Sequence, residues 1–341
     1  MTKHSLIGID LAKNVFQICA MTPHGKISFN RALKRADLKA FMVKQEATIV
    51  AMEACYSSHY WAREFVAMGH TVQLIPAQHV KPFVRGNKSD RNDAVAICEA
   101  SKRPEINTVP IKTLEQSDIQ CLHRIRERHI KQRTSLINQA RGLLAEYGII
   151  APLGLKAFKL LLHEVCSSEY SVISPSLKTQ FMFVTDEYCF HTDRIDDITV
   201  ELNVIAKANP LCHYLLSIPG IGPINATAII SAIGNGQQFK NGREFAVWLG
   251  LTPKQSSSGE RGFSGGITKR GNRYLRKQLV HGARAMTIRC RNKKDNLSQW
   301  VNQLLARRGV HKTYVAVAAR LARTAWVLLN KQETYREMSS N

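Results

Sequence analysis

The sequence is poor in acids: its 341 residues carry 26 Asp and Glu against 48 Lys and Arg, a formal net charge of +22. Such a chain repels itself unless a polyanion neutralises it, and nucleic acid is the polyanion that fits. A membrane surface bound through a basic amphipathic helix is the weaker alternative. Paired cysteines are also missing. The eight cysteines stand singly with no CxxC pair, which argues against structural zinc and against a disulfide framework, and they read as small buried hydrophobes in a reducing compartment. The histidines show no HxxxH or HExxH spacing, so a histidine-ligated metal is not expected either. Long apolar runs are absent, each being broken by charge well short of a bilayer's width, and MTKHSLIGID has no signal-peptide layout. The expectation is a cytoplasmic protein, nucleoid-associated when bound to DNA, with no membrane partner.

What is present is unevenly placed. Hydrophobic residues make up 44% of the chain, enough for the cores of two or three domains. Between Lys254 and Glu337 the sequence has 19 Lys and Arg but 4 Asp and Glu, so this quarter holds +15 of the net charge. At its head lies LGLTPKQSSSGERGFSGGITKRGNRYLRK, Leu249 to Lys277. Six glycines and Pro253 between Gly250 and Gly271 predict a loop. A helix is expected to resume near Lys269, carrying Arg270, Arg273, Arg276 and Lys277 on one side and Leu275, Leu279 and Ala283 on the other. Hydroxyls beside such cations suit a phosphate.

The first hundred residues predict a mixed α/β sheet. SLIGID, VFQICA and KISFN read as a three-stranded meander with a turn at Pro23-His24-Gly25. Helices near 36–45, 58–68 and 89–101 alternate with strands near 48–52 and 71–75. Asp10 and Glu53 end strands, while Asp90 and Asp93 share the start of a helix. Ligands of open α/β sheets gather beyond strand ends, and four hard oxygen donors there suit Mg²⁺, with Mn²⁺ as the alternative. Each acid alone also fits a plain role, because Ser89-Asp90-x-x-Asp93 is an ordinary helix start and Asp10 can open a turn.

From Leu114 to Tyr147 one long helix is expected, with Ile130, Ile137 and Leu144 seven apart; Ile195, Ile198, Leu202 and Ile205 form a second stripe. They suit an antiparallel helical stalk, a coiled-coil seam between subunits, or a local core. Residues 150–183 are ambiguous. LLSIPGIGPINATAIISAI, Leu215 to Ile233, resembles a helix-hairpin-helix unit whose Gly220 and Gly222 let backbone N–H groups approach a phosphate; a plain helix connection is the alternative. Later helices near 297–305 and 314–329 are expected to pack the C-terminal domain.

GIDLAK, AMEAC, KSDRNDA, IPGIGP, GLTPKQSSSG and TKRGNRYLRK, in this order and across nearly the whole chain, resemble the DEDD transposases of the IS110 insertion-sequence family, and its IS1111 branch in particular. The resemblance implies an α/β plus α architecture. Its parts would be a RuvC-like (ribonuclease H fold) domain over 1–110, a helical stalk or coiled coil over 111–209, and a mainly helical transposase domain over 210–341. It implies that Asp10, Glu53, Asp90 and Asp93 bind Mg²⁺ and that Ser258, the serine directly before Gly259, is the nucleophile, although Ser256 and Ser257 adjoin it. It further implies recombination of donor and target DNA for a bacterial insertion sequence, guided by a structured noncoding bridge RNA, in a dimer or tetramer. Lys269, Arg270, Arg273, Arg276 and Lys277 are candidate nucleic-acid contacts on charge and position. Two other readings stand beside this one: a metal-only RuvC-like nuclease or transposase without a covalent serine intermediate, and a non-catalytic architectural protein.

Overall fold

The computed structural model describes residues 4–87, 89–167, 172–258 and 261–336, with side chains left undescribed at 256–258 and 261–264. The chain divides after Thr113 into two compact units.

In the first unit, β1 (Leu6–Asp10), β2 (Val15–Met21) and β3 (Ile27–Lys34) form the expected antiparallel meander, and β4 (Ile49–Glu53) and β5 (Thr71–Ile75) add in parallel on the other side of β1. The sheet order is β3-β2-β1-β4-β5. Because strand side chains alternate between faces, Ile7, Ile9, Val50 and Met52 pack under α1 (Arg35–Val43) and α2 (Ser58–Ala67), alongside Leu38, Met42, Trp61 and Phe65. The opposite face carries Leu6, Cys19 and Ala51 against Ala94, Ile97 and Cys98 of α4 (Asp90–Ser101). A short helix, α3 (Ala77–Val80), precedes α4.

The second unit is almost wholly helical. The expected long helix is α5 (Leu114–Ala145). The ambiguous region resolves into α6 (Leu155–Cys166) and the start of α7 (Pro175–Ala208), where Ser174 accepts from Leu177 N and Pro175 occupies the first turn. Arg126 Nε donates to Thr199 Oγ1 and Arg133 Nη1 to Thr192 Oγ1, so α5 and α7 run antiparallel. Most of each stripe is buried within the chain, with Ile130 and Ile205 partly exposed. Ile137 and Leu144 join Phe158 and Phe181 in one core, and Ile198 and Leu202 join the C-terminal core.

That C-terminal core draws on α8 (Pro210–Leu216), α9 (Pro223–Ile233), α10 (Gly242–Trp248), α11 (Arg273–Cys290), α12 (Asn296–Arg308) and α13 (Val310–Lys331). The predicted Gly250–Gly271 loop is instead a hairpin, β6 (Pro253–Ser258) paired with β7 (Arg261–Ile267). Its base is pinched: a Cβ on Gly271 would lie 1.8 Å from the Trp248 carbonyl oxygen and one on Gly250 2.3 Å from that of Arg270. Backbone closeness, which glycine alone permits, holds these polar strands together where side-chain propensity predicts irregular chain. Helix α11 begins at Arg273 rather than near Lys269, because Asn272 caps it by accepting from Leu275 N and Lys269 adopts φ 56°.

Candidate active site

Parallel pairing of β1 with β4 sets Ile9 opposite Met52, and one further residue brings Asp10 and Glu53 to neighbouring strand ends. Helix α4 supplies the other two acids. Its approach to β1 depends on Gly8, where an added Cβ would stand 2.4 Å from Cys98 Sγ and 2.9 Å from the Ala94 carbonyl oxygen. Asp90 lies four residues before Ala94 and eight before Cys98, so it shares their helical face, and Asp10, two residues beyond Gly8, shares that face of the strand. Carboxylate oxygens of Asp10, Asp90 and Asp93 consequently lie within 4.8 Å of one another. Glu53 stands outside that group yet feels it. Burial, followed by repulsion from Asp93, raises its carboxyl above the usual range. The neighbouring Cys55 thiol is pushed up to about 11 by burial, then by Glu53 and Asp10.

The capping role weighed for Asp90 and Asp93 falls to Ser89, whose Oγ accepts from Asn92 N. Neither carboxylate makes a hydrogen bond or ion pair among the described residues, so both are left available to a ligand. Two positioning residues went unrecognised in the sequence. Asn30 Nδ2 donates to the Arg91 carbonyl at 2.9 Å while Asn30 Oδ1 accepts from Gln17 Nε2 at 2.6 Å, tying the first turn of α4 to the meander. Only cross-strand register could have revealed them, since Gln17 pairs with Asp10 and Ala32 while Asn30 pairs with Cys19.

In the second unit Ser258 ends β6, its backbone paired in register with Arg261; the side chains of Ser256, Ser257 and Ser258 lie outside the described residues, as does Gly259. The five candidate cations differ in setting. Lys269, Arg270 and Arg273 are exposed. Arg276 is turned inward, its Nη1 donating to the carbonyls of Leu249 and Arg270 at 2.8 Å each, and Lys277 Nζ bridges to Glu127 at 2.5 Å. At the IPGIGP turn, Gly220 has φ 91° and packs against α11, where a Cβ would come within 3.1 Å of the Gly282 oxygen and of Met286 Cβ. Gly222 is exposed and open, at the start of α9, which has no side-chain cap. Of the two turn glycines, Gly222 is open to its surroundings and Gly220 packs against α11.

Among the described residues no helix is long and apolar enough to cross a membrane. Two family models match the chain: a model of DEDD transposases of IS110 elements, described as "Transposase", over residues 7–149, and one described as "Transposase IS116/IS110/IS902 family" over residues 212–299. The chain is 42% identical over 331 residues to the transposase for insertion sequence element IS1111A of Coxiella burnetii, covering 97% of this chain and 91% of that protein. It is 36% identical over 328 residues to the transposase for insertion sequence element IS1328 of Yersinia enterocolitica, covering 96% and 97%.

Proposed function

Since this chain belongs to the IS110 family of insertion-sequence transposases, we propose that it recombines donor and target DNA through a covalent bond to Ser258, under the direction of a structured bridge RNA, with Asp10, Glu53, Asp90 and Asp93 holding the divalent metal used by DEDD transposases. The observation that carries the metal assignment is the convergence of three carboxylates within 4.8 Å, joined electrostatically by Glu53. The donor set fits: four hard oxygen ligands at the ends of parallel strands and the start of one helix suit Mg²⁺ or Mn²⁺. When bound, such an ion supplies Lewis-acid stabilisation of charge on phosphoryl oxygens.

The protein's own groups do the rest. Ser258 Oγ loses its proton and bonds to phosphorus as the DNA's ester oxygen leaves and takes up a proton, so the phosphodiester is exchanged for a phosphoserine and its bond energy is kept for rejoining without ATP. Lys269, Arg270 and Arg273, exposed beyond the hairpin base, are suited to offset charge on the transferring phosphoryl group. Sequence choice would lie in base pairing by the RNA, with the protein holding backbones and RNA shape. A RuvC-like reading of residues 1–110, a stalk over 111–209, a transposase domain over 210–341, self-association as a dimer or tetramer and action on the nucleoid in the cytoplasm complete the proposal.

Covalent trapping tests it. The protein is incubated with Mg²⁺, element-end DNA and RNA copied from the element's noncoding flank, and adducts are resolved on a denaturing gel and mapped by peptide mass. An adduct on Ser258 that disappears without RNA or in Asp10→Ala supports the scheme. Cleavage with no adduct would establish the metal-only reading.

A further inference from the structure

The second unit contains a cleft of about 430 Å³ between α5, α9 and the start of α11. Its size lies in the range of small-molecule sites, about 300–1,000 Å³. Three cations line one wall: Arg124, Arg128 and Lys131 recur at four- and three-residue steps and so occupy one side of α5. Arg124 and Lys131 have no hydrogen-bond or ion-pair partner among the described residues, and Arg128 reaches only His129 Nε2, at 3.1 Å. The single acid of the wall, Glu127, is neutralised by Lys277. This wall therefore presents uncompensated positive charge.

The facing wall is made of small residues. Ala228, Ser231 and Ala232 of α9 leave a recess, bounded on the α11 side by Tyr274. Tyr274 is fixed from behind by a chain of hydrogen bonds whose direction is determined. Thr227 Oγ1 donates to the Pro223 carbonyl at 2.7 Å, so it accepts from His123 Nε2 at 3.0 Å, and His123 Nδ1 in turn accepts from the Tyr274 hydroxyl at 2.8 Å. With its proton committed to a buried imidazole, Tyr274 is a wall of the recess rather than a nucleophile.

We propose that this cleft receives one unpaired nucleotide of a nucleic-acid strand, with phosphate on Arg124, Arg128 and Lys131 and the sugar or base in the recess beside Tyr274. A wall of cations alone would suit any phosphate backbone. The recess selects an unpaired nucleotide, because bases of an intact duplex are held in the stack and only its convex backbone can reach the cations. The inference rests on the chain's handling of nucleic acid and is independent of the serine and metal assignments. DNA and RNA offer the same chemistry here and are separated by experiment.

Binding of the full-length protein is measured in EDTA, so that no cleavage intervenes, by fluorescence anisotropy. The probes are a 12-nucleotide DNA strand, the RNA of the same sequence, and a 12-base-pair DNA duplex with and without one bulged nucleotide. Ala232→Leu fills the recess and keeps every charge. It should weaken single-strand and bulged-duplex binding about tenfold and leave the perfect duplex within about twofold. Whichever of DNA and RNA loses more identifies the natural source. Lys131→Glu, on the exposed surface of α5, provides a second variant that leaves the core intact; it should weaken every probe, and the single strand and bulged duplex more than the perfect duplex. Unchanged single-strand affinity in both variants, or an Ala232→Leu loss as large on the perfect duplex as on the single strand, overturns the proposal and makes the cations a general phosphate rail.

Discussion

Gly8 of β1 and Cys98 of α4 are in such close contact that a methyl group on the glycine would lie 2.4 Å from the cysteine sulfur. This contact sets the distance between strand and helix, and hence between Asp10 and the two acids of α4. Gly8→Ala should destabilise the first unit by about 1–3 kcal/mol through overpacking and reduce strand transfer by spreading the acids. Cys98→Ala in the same chain should recover part of both losses. A thermal-unfolding double-mutant cycle measures the coupling, and additive effects would contradict the contact.

Burial, and then repulsion from Asp93, raises the Glu53 carboxyl, so the acids oppose one another when no cation is bound. Asp93→Asn should therefore abolish strand transfer while raising the melting temperature in EDTA. Added Mg²⁺ should stabilise the wild type more than the variant, by differential scanning fluorimetry. Ser89→Ala, which removes only the helix cap, should instead cost about 1 kcal/mol and leave the Mg²⁺ response.

Arg276 and Arg273 are three residues apart but have different duties. Arg276→Ala removes two hydrogen bonds to Leu249 and Arg270 at the hairpin base and should lower stability by about 2–4 kcal/mol, since charge-assisted bonds contribute more than neutral ones. The exposed Arg273→Ala should leave the melting temperature unchanged, weaken DNA binding and reduce its salt slope by about 1. Chemical denaturation and salt-dependent anisotropy check the pair.

His123 is held neutral, its pKa lowered to about 4 by burial and then by Arg126. The unfolded chain binds the proton near pH 6.5 and the folded chain does not, so stability is full above that value and is lost as pH falls from 6.5 towards 4. The loss is about 3 kcal/mol over that window. His123→Gln, which cannot titrate, should flatten that part of the stability profile measured by urea unfolding from pH 7.5 to 4.5.

Elements with a strong period were legible in advance. The five strands of the first sheet and the helices carrying Asp90 and Ile137 appear within a few residues of expectation because alternation and helical spacing are local properties of the chain. The hairpin was not legible, because Ser256–Ser258 and Gly262 have little strand propensity and are paired through their backbone. Nor was the inward turn of Arg276, which has the same spacing as exposed neighbours and differs only in having carbonyls within reach.

By itself the sequence determined the charge, the single spacing of the cysteines, the order of strands and main helices in the first unit and the residue types at the strand ends. Each of these follows from composition or from spacing within a few residues. Only the tertiary structure decided that Asp10, Asp90 and Asp93 converge, that Ile137, Leu144, Ile198 and Leu202 are buried within the chain, and that Arg276 bonds the hairpin base while Gly220 packs against α11. These depend on contacts between residues far apart in the chain, such as Gly8 with Cys98 and Gly220 with Gly282, whose closeness comes from backbone approach and leaves no periodic trace in the sequence.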